Sequence, residues 1–218
     1  MSIVPVITID GPSASGKGTV AQRVAAELGF GYLDSGALYR LTALAAERRQ
    51  LNWRDEVVVA RLAGELDVVF DGAAVLLDGN NVAEAIRGET VGVGASIVAA
   101  LPSVRTALLA RQHAFAALPG LVADGRDMGS VVFPDARLKV FLTASAAARA
   151  ERRYKQLIGR GEQADLAAIT ADLESRDARD RERKVAPLQQ WPDALLLDTT
   201  DMGIDEAVEQ VLMWWKTR

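Results

Sequence analysis

Short runs of apolar residues alternate with longer segments of helical spacing along most of this chain. We predict strands at residues 6–10, 30–33, 120–124, 138–142 and 194–198. We predict helices at residues 20–28, 37–49, 51–63, 92–100, 103–118, 146–158, 166–183 and 204–216. Apolar strands separated by helices are typical of a parallel sheet buried on both faces. The predicted fold class is therefore α/β and doubly wound, with a five-stranded parallel sheet covered by helices on both faces.

One segment, at about residues 66–100, departs from this alternation. Its first two apolar runs flank Asp71-Gly72, a dipeptide typical of hairpin turns. A second turn is predicted at residues 78–81, and residues 82–86 would add a third short strand. We interpret this segment as an inserted subdomain with a small antiparallel sheet.

Composition narrows the classes of function. The chain has 218 residues, half of them hydrophobic, which is enough for a substantial core. Its formal charge of −4 implies no general affinity for nucleic acid or acidic membranes. It has no cysteine, which excludes disulfides, thiolate zinc sites and a thiol nucleophile. We see neither a signal peptide nor an apolar run of membrane-spanning length, so we expect a cytoplasmic protein.

The most informative motif lies between the first strand and the first helix. It is Gly11-Pro12-Ser13-Ala14-Ser15-Gly16-Lys17, which fits the P-loop pattern G-x-x-x-x-G-K. Such a loop turns its backbone N–H groups towards phosphate, and the helix that follows adds its positive dipole end. Lys17 would contribute a point charge at the outer phosphates. Gly18 departs from the usual Ser or Thr, and the hydroxyl comes one place later, at Thr19.

The departure at Gly18 concerns the metal, because the usual hydroxyl ligates Mg²⁺ directly. We expect Mg²⁺ to be held through water, with Asp124 as the carboxylate on the metal side and Thr19 as a possible contributor. Asp124 ends a buried strand, where P-loop proteins place such an acid. Asp10 ends the first strand and is the competing, purely structural candidate. Thr19 could equally be an ordinary residue of the first helical turn.

Arg126-Asp127 follows Asp124 on a glycine-flanked loop at the carboxyl edge of the sheet, where doubly wound folds bind ligands. Arginine suits phosphate, and aspartate suits amino and ring N–H donors. A local ion pair that shapes the loop is the alternative interpretation.

Two later helices are rich in arginine. Arg149, Arg152 and Arg153 share one helical face, and Arg176, Asp180 and Arg183 share another. Residues 149–183 include eight arginines and eight acidic residues, so solvated salt bridges are a serious alternative. The preference for Arg over Lys favours phosphate binding, and the break at Gly159-Arg160-Gly161 suggests the hinge or tip of a lid.

Ser35 and Arg40 stand at the start of the second helix, where Asp34-Ser35 is also a helix-cap signal. His113 is the only histidine, and we interpret it as structural because its sequence neighbours offer no catalytic partner. Trp214-Trp215 are expected to pack against the core.

Four blocks together resemble the nucleoside monophosphate kinases, and within them the bacterial cytidylate kinases. The blocks are Ile9-Asp10-Gly11-Pro12-Ser13 with Gly16-Lys17-Gly18-Thr19; Leu33-Asp34-Ser35-Gly36-Ala37-Leu38-Tyr39-Arg40; Ala123-Asp124-Gly125-Arg126-Asp127-Met128-Gly129; and Arg176-Asp177-Ala178-Arg179-Asp180-Arg181 with Val185-Ala186-Pro187-Leu188. They extend over essentially the whole chain. In this group Gly-Lys-Gly-Thr is the usual form of the loop.

The resemblance implies ATP-dependent phosphorylation of CMP and dCMP, with Mg²⁺, by a monomer. It implies a single kinase domain with its core at about 1–35, 119–148 and 185–218, a monophosphate-binding insertion at about 36–118, and a lid at about 149–165. ATP would be bound by Gly11 to Thr19 with Arg152 and Arg153. The acceptor would be bound by Ser35, Arg40, Ser96, Arg105, Arg126, Asp127, Asp180 and Arg183. The catalytic residues would be Lys17, Arg126, Arg176 and Arg183.

Other readings remain open at the level of sequence. The same reaction could act on another acceptor, such as UMP or AMP. A P-loop switch protein would need a guanine-reading Asn-Lys-x-Asp segment, which the sequence lacks. A plain nucleotide-binding module would leave the Arg126-Asp127 loop and the arginine helices without a purpose.

Overall fold

The structure is a computed structural model that describes residues 4–71 and 74–218. The strands are β1 Val6–Asp10, β2 Gly31–Asp34, β3 Val68–Asp71, β4 Ala74–Leu77, β5 Asn80–Asn81, β6 Leu121–Gly125, β7 Leu138–Thr143 and β8 Leu195–Asp198. The helices are α1 Lys17–Leu28, α2 Ser35–Arg48, α3 Glu56–Gly64, α4 Glu89–Val98, α5 Pro102–His113, α6 Ala146–Ile158, α7 Leu166–Arg181 and α8 Ile204–Thr217. A 3₁₀ turn lies at Ala85–Arg87, and a π-helical turn lies at Met128–Val132.

The five predicted strands form one parallel sheet in the order β2-β6-β1-β7-β8, which confirms the predicted fold class. β1 lies at its centre, with Ile9 beside Asp124 of β6 on one side and beside Val140 of β7 on the other. A buried apolar cluster joins β1, β6, β7 and β8 to α1 and α8. The register brings the ends of β1 and β6 together, because Asp10 lies beside Gly125.

The inserted segment does contain a small antiparallel sheet, in the order β3-β4-β5. The expected third strand at residues 82–86 is wrong. The third strand is Asn80–Asn81, within the predicted turn, and Asn81 Oδ1 then accepts from Ala83 N at 3.0 Å, which turns the chain towards the 3₁₀ turn. The predicted Asp71-Gly72 turn lies partly outside the described residues.

Two predicted helices in this region were misplaced at their ends. The helix expected from residue 51 begins at Glu56, because the Asp55 carboxylate caps it by accepting from Val58 N at 3.2 Å. The helix expected over 103–118 runs from Pro102 to His113. Proline needs no N–H partner at the first helical position, so Pro102 begins this helix rather than only separating two helices.

The chain divides into two compact units, residues 1–33 with 115–218 and residues 34–114. The first unit contains the five-stranded parallel sheet, together with α1, α6, α7 and α8. The second contains α2 to α5 and the small sheet. Within the described ranges no single helix is long and apolar enough to cross a membrane; the bent pair Glu89–Val98 and Pro102–His113 passes by length and composition alone.

Candidate active site

The loop after β1 has the backbone shape of a phosphate cradle. Ala14 and Gly16 both adopt positive φ angles, of 58° and 92°, and α1 begins at the next residue, Lys17. Successive N–H groups in such turns converge on one side of the loop. Gly16 is the N-cap and has no side chain to satisfy the first N–H groups of α1. These donors and the helix dipole are suited to an anion.

The side chains of the loop differ in exposure. Lys17 is half-buried, and its Nζ lies 3.5 Å from Pro12 O, a weak contact that a phosphate could replace. Ser15 is buried, and its Oγ has no hydrogen-bond partner among the described residues. Thr19 is exposed on the first turn of α1.

Asp124 lies against the start of α1, as the metal-side prediction requires. Its Oδ2 accepts a hydrogen bond from Tyr32 Oη at 2.5 Å. A Cβ placed on Gly18 would lie 3.5 Å from the same Oδ2. Asp124 is buried, at 4% exposure. A buried carboxylate therefore borders the position from which most P-loops extend their metal-binding hydroxyl.

Asp10 has a different set of partners, in the loop that follows β6. Its two carboxylate oxygens accept from Met128 N and Gly129 N, each at 2.8 Å. Burial raises the pKa of Asp10 from its ordinary 3.8 to about 7, despite the opposing effect of these two bonds. Asp10 therefore anchors the loop that carries Arg126 and Asp127.

The raised pKa of Asp10 makes stability depend on pH. Below pH 4 Asp10 is protonated in both the folded and unfolded states, so it imposes no cost. Between pH 4 and 7 the unfolded chain loses the proton while the folded chain keeps it, so stability falls as pH rises; above pH 7 the cost is constant. The full effect is about 4 kcal/mol, at about 1.4 kcal/mol per pKa unit.

Urea unfolding of the wild type and of Asp10→Asn, at several pH values from 4 to 8, tests this expectation. As pH rises, the wild type should lose about 4 kcal/mol of unfolding free energy relative to the variant, because the variant cannot titrate at this position. Parallel stability curves for the two proteins would show that Asp10 does not carry the proton.

Arg126 occupies the junction of the P-loop and α7. Its Nε donates to Asp180 Oδ2 at 2.7 Å, and its NH2 donates to Ser13 Oγ at 2.8 Å. Burial opposes the charge, but Asp180 outweighs it, with help from Asp124 and Asp177, and raises the pKa of the guanidinium. Arg126 is therefore a fully charged group held beside the phosphate cradle.

Asp180 is shared by more than one arginine. Arg183 also donates to it, from three residues further along the chain. Burial acts to raise the pKa of Asp180, but Arg126, Arg183 and Arg176 together hold it below its usual range. Arg176 itself lies 3.6 Å from Asp172, one turn earlier on α7. Because α7 ends at Arg181, the predicted helical face holds Arg176 and Asp180 but not Arg183, which lies in the segment after the helix. Asp180 still brings Arg183 and Arg126 together beside the P-loop.

The three arginines of α6 have separate partners. Arg149 is buried, pairs with Asp177 at 2.7 Å and donates to Ser13 O at 3.1 Å. Arg152 donates to Ser15 O at 3.1 Å and to Thr199. Arg153 donates to Gln156 Oε1 at 2.7 Å on the exposed side of the helix. Arg149 and Arg152 therefore hold carbonyl groups of the P-loop.

Asp127 is buried in the loop after β6, in the first compact unit, and the other remaining predicted residues lie in the second. Asp34 alone is the N-cap of α2, accepting from Ala37 N at 3.0 Å, and the buried Ser35 is the first helical residue. Arg40 donates to Ile86 O at 2.8 Å. Arg105 is buried and donates to Ala99 O at 3.4 Å, one turn beyond the buried Ser96.

Sequence reasoning missed the positioning groups of the first unit. They are Tyr32, Asp177 and Thr199, and the anchoring role of Asp10. The end of β1 gave a partial signal for Asp10. Tyr32 lies 92 residues from Asp124 and Arg149 lies 136 residues from Ser13, so local patterns contain no signal for these contacts.

A parallel sheet with a phosphate cradle after its central strand, and with arginines gathered around that cradle, defines a P-loop phosphotransferase. The family model described as cytidylate kinase matches residues 7–217. The chain belongs to the cytidylate kinase family.

Individual relatives agree with this assignment. The cytidylate kinase of Chromobacterium violaceum is 64% identical over 215 residues, covering 99% of this chain and 97% of that protein. The cytidylate kinase of Neisseria meningitidis serogroup C is 58% identical, covering 97% of each. That of Stutzerimonas stutzeri is 57% identical, covering 96% of this chain and 94% of that protein.

Two solved structures share the fold at low identity. A gluconokinase from Sinorhizobium meliloti has a TM-score of 0.50 at 15% identity, covering all of both chains. An uncharacterized protein from Eubacterium ventriosum has a TM-score of 0.53 at 12% identity, covering 98% of this chain and 99% of that one. At these identities the likeness concerns the fold alone.

Proposed function

We propose that the chain transfers the terminal phosphate of ATP to CMP and dCMP, giving ADP with CDP or dCDP. The observation that carries the proposal is the match to the cytidylate kinase family over residues 7–217. Lys17 and Arg126 beside the glycine-rich phosphate cradle support it independently, because both side chains are cations suited to phosphate.

The reaction needs no strong general base. An oxygen of the acceptor phosphate, already anionic at neutral pH, forms the new bond to the γ-phosphorus. The bond from that phosphorus to the β–γ bridging oxygen breaks, and ADP leaves with that oxygen. The protein contributes position and charge neutralisation. A single histidine and no cysteine are compatible with such chemistry.

In this proposal the P-loop residues Gly11 to Thr19 hold the phosphates of ATP, and Lys17 neutralises the charge that develops during transfer. Arg126, Arg176 and Arg183 serve the transferred group and the acceptor phosphate. Ser35, Arg40, Ser96, Arg105, Asp127 and Asp180 bind the remaining parts of the acceptor. Arg152 and Arg153 complete the ATP side, and the segment 149–165 acts as a lid.

The donor set beside Gly18 fits a Mg²⁺ ion bound through water. Asp124 offers a buried carboxylate oxygen that can accept from a metal-bound water, and Gly18 leaves the adjoining space without a side chain. The described residues contain no group of three or more acidic, His or Cys side chains able to hold a metal, so phosphates and water would complete its shell. When bound, Mg²⁺ neutralises charge on the β- and γ-phosphates. Asp124, with Thr19 as a further candidate, would orient its water.

We propose that the protein acts in the cytoplasm, where ATP and pyrimidine monophosphates are available. We further propose that it acts as a monomer without nucleic-acid or membrane partners, as the resemblance to small kinases of this kind implies. Sedimentation of the purified chain would check the monomer.

A panel of monophosphates tests the substrate. With saturating ATP and Mg²⁺, the pure enzyme should give its highest kcat/KM with CMP and dCMP, and lower values with UMP, AMP and GMP. A higher kcat/KM with UMP or AMP would support kinase activity but would show that cytosine is not the preferred base. ATP hydrolysis that ignores every acceptor would instead favour a P-loop switch or hydrolase.

A further inference from the structure

Gly18 and its surroundings point to a residue that no motif singled out. Most P-loops carry a Ser or Thr hydroxyl at this position as a direct metal ligand. Here a Cβ on Gly18 would lie 3.5 Å from Asp124 Oδ2 and 3.6 Å from Tyr32 Oη. The place of the missing hydroxyl is therefore bordered by a carboxylate and a phenol.

Tyr32 is held firmly enough to orient its partner. It lies on β2, next to β6, which carries Asp124. Its ring packs against the apolar core of the sheet, and its Oη donates to Asp124 Oδ2 at 2.5 Å. A ring packed in the core, with its hydroxyl donating to a buried carboxylate, restrains the position of that carboxylate oxygen.

We propose that Tyr32 is a positioning residue for Mg²⁺, acting through Asp124. Its hydroxyl holds the Asp124 carboxylate beside Gly18, so that the carboxylate orients the metal's water in place of the absent Ser or Thr. This inference rests on the proposed function, in which Asp124 faces the metal. Partners that orient a metal-side ligand commonly change metal affinity or activity by 10–100-fold when they are removed.

A merely structural tyrosine would behave differently. Phenylalanine would keep the ring in the apolar core and would lose only the hydroxyl. If the hydroxyl served stability alone, its loss would weaken the fold without changing how strongly Mg²⁺ promotes ATP binding. The two roles are therefore separable by a binding measurement that involves no turnover.

The experiment measures ATP affinity by calorimetry, with Mg²⁺ and with EDTA, for wild type, Tyr32→Phe, Asp124→Asn and the control Thr217→Val. Thr217 is the last residue of α8, and its exposed hydroxyl donates to Met213 O within the same helix. The ratio of the two dissociation constants is the contribution of the metal. We expect Tyr32→Phe to reduce that ratio about tenfold, with metal-free ATP affinity unchanged, and Thr217→Val to leave the ratio at the wild-type value.

Two outcomes would overturn the inference, and they have different consequences for the role of Asp124. A wild-type ratio in Tyr32→Phe, together with a reduced ratio in Asp124→Asn, would reject Tyr32 and retain Asp124 on the metal side. A wild-type ratio in both would reject the metal role of Asp124 and hence that of Tyr32. The substrate proposal is decided separately by the monophosphate panel. Unchanged metal-free ATP affinity also serves as evidence that the variants are folded.

Discussion

Replacing Lys17 with alanine should reduce the rate of phosphoryl transfer to CMP by about 10³-fold or more, while the fold stays intact. Removing a single neutral donor that faces the developing charge lowers kcat by about 10²–10³-fold. We expect a larger loss for a charged lysine at the reacting phosphate. The fold should survive because Lys17 is half-buried and is not part of the buried core. Steady-state kcat with CMP and a thermal unfolding curve measure the two effects.

The control for Lys17→Ala is Lys216→Ala, which removes an exposed ammonium from the end of α8. This control variant changes the net charge by the same amount, but at a residue with no proposed role in the site. It should therefore retain the wild-type kcat. If Lys17→Ala turned over at the wild-type rate, the transfer role proposed for Lys17 would be wrong. If Lys17→Ala unfolded at much lower temperature, its loss of activity would carry no information about catalysis.

Replacing Gly11 with alanine should destabilise the protein by more than about 4 kcal/mol, or prevent it from folding. A Cβ on Gly11 would lie 2.0 Å from Leu142 O, which belongs to the backbone of β7. Backbone cannot rotate away as a side-chain tip can, so β1 and β7 would have to separate in the middle of the sheet. Gly11 N also donates to Gly125 O at 3.3 Å, which ties the same residue to β6.

Gly64→Ala is the matched control for Gly11→Ala. Gly64 is the last residue of α3, and a Cβ there would meet nothing within 4 Å. Alanine has a higher helix propensity than glycine, so this variant should be neutral or gain up to about 1 kcal/mol. Urea unfolding compares both with the wild type. Equal free energies of unfolding for Gly11→Ala and the wild type would contradict the close approach of β1 and β7.

The two substitutions probe different parts of the same loop. In the proposed function Lys17 acts in the transfer step and contributes little to stability, while Gly11 allows the loop to leave β1 between two neighbouring strands. Asp10, directly before Gly11, is also structural, since its carboxylate accepts from the backbone N–H groups of Met128 and Gly129. The first residues of the P-loop thus anchor it, and the proposed function assigns the reaction to its last residue, Lys17.

The outline of the fold could be predicted from local patterns. Each strand of the parallel sheet is a short apolar run, and the G-x-x-x-x-G-K spacing identifies the phosphate loop wherever a strand precedes it. The ends of elements were harder, because a single cap decides them. Asp55 starts α3 five residues later than the apolar pattern suggested, and Asn80–Asn81 pair where a turn was expected.

The partners of the arginines could not be predicted from the sequence. The pattern placed Arg149, Arg152 and Arg153 on one face of a helix and left phosphate binding and solvated salt bridges as alternatives. In the structure Arg149 forms a buried ion pair with Asp177 and also holds Ser13 O, a role that neither alternative described. Helical spacing reports which side chains share a face, but not what that face meets.

The sequence alone therefore determined the class of fold, the phosphate loop and the candidate residues, because apolar periodicity and glycine spacing are local properties of the chain. Only the tertiary structure decided which carboxylate anchors a loop and which borders Gly18. Asp10 and Asp124 look alike in sequence, since both end a buried strand. They differ because Asp10 accepts from backbone N–H groups 118 and 119 residues away, while Asp124 accepts from Tyr32, 92 residues away. Contacts over such distances are set by the order of strands in the sheet, which brings distant residues together.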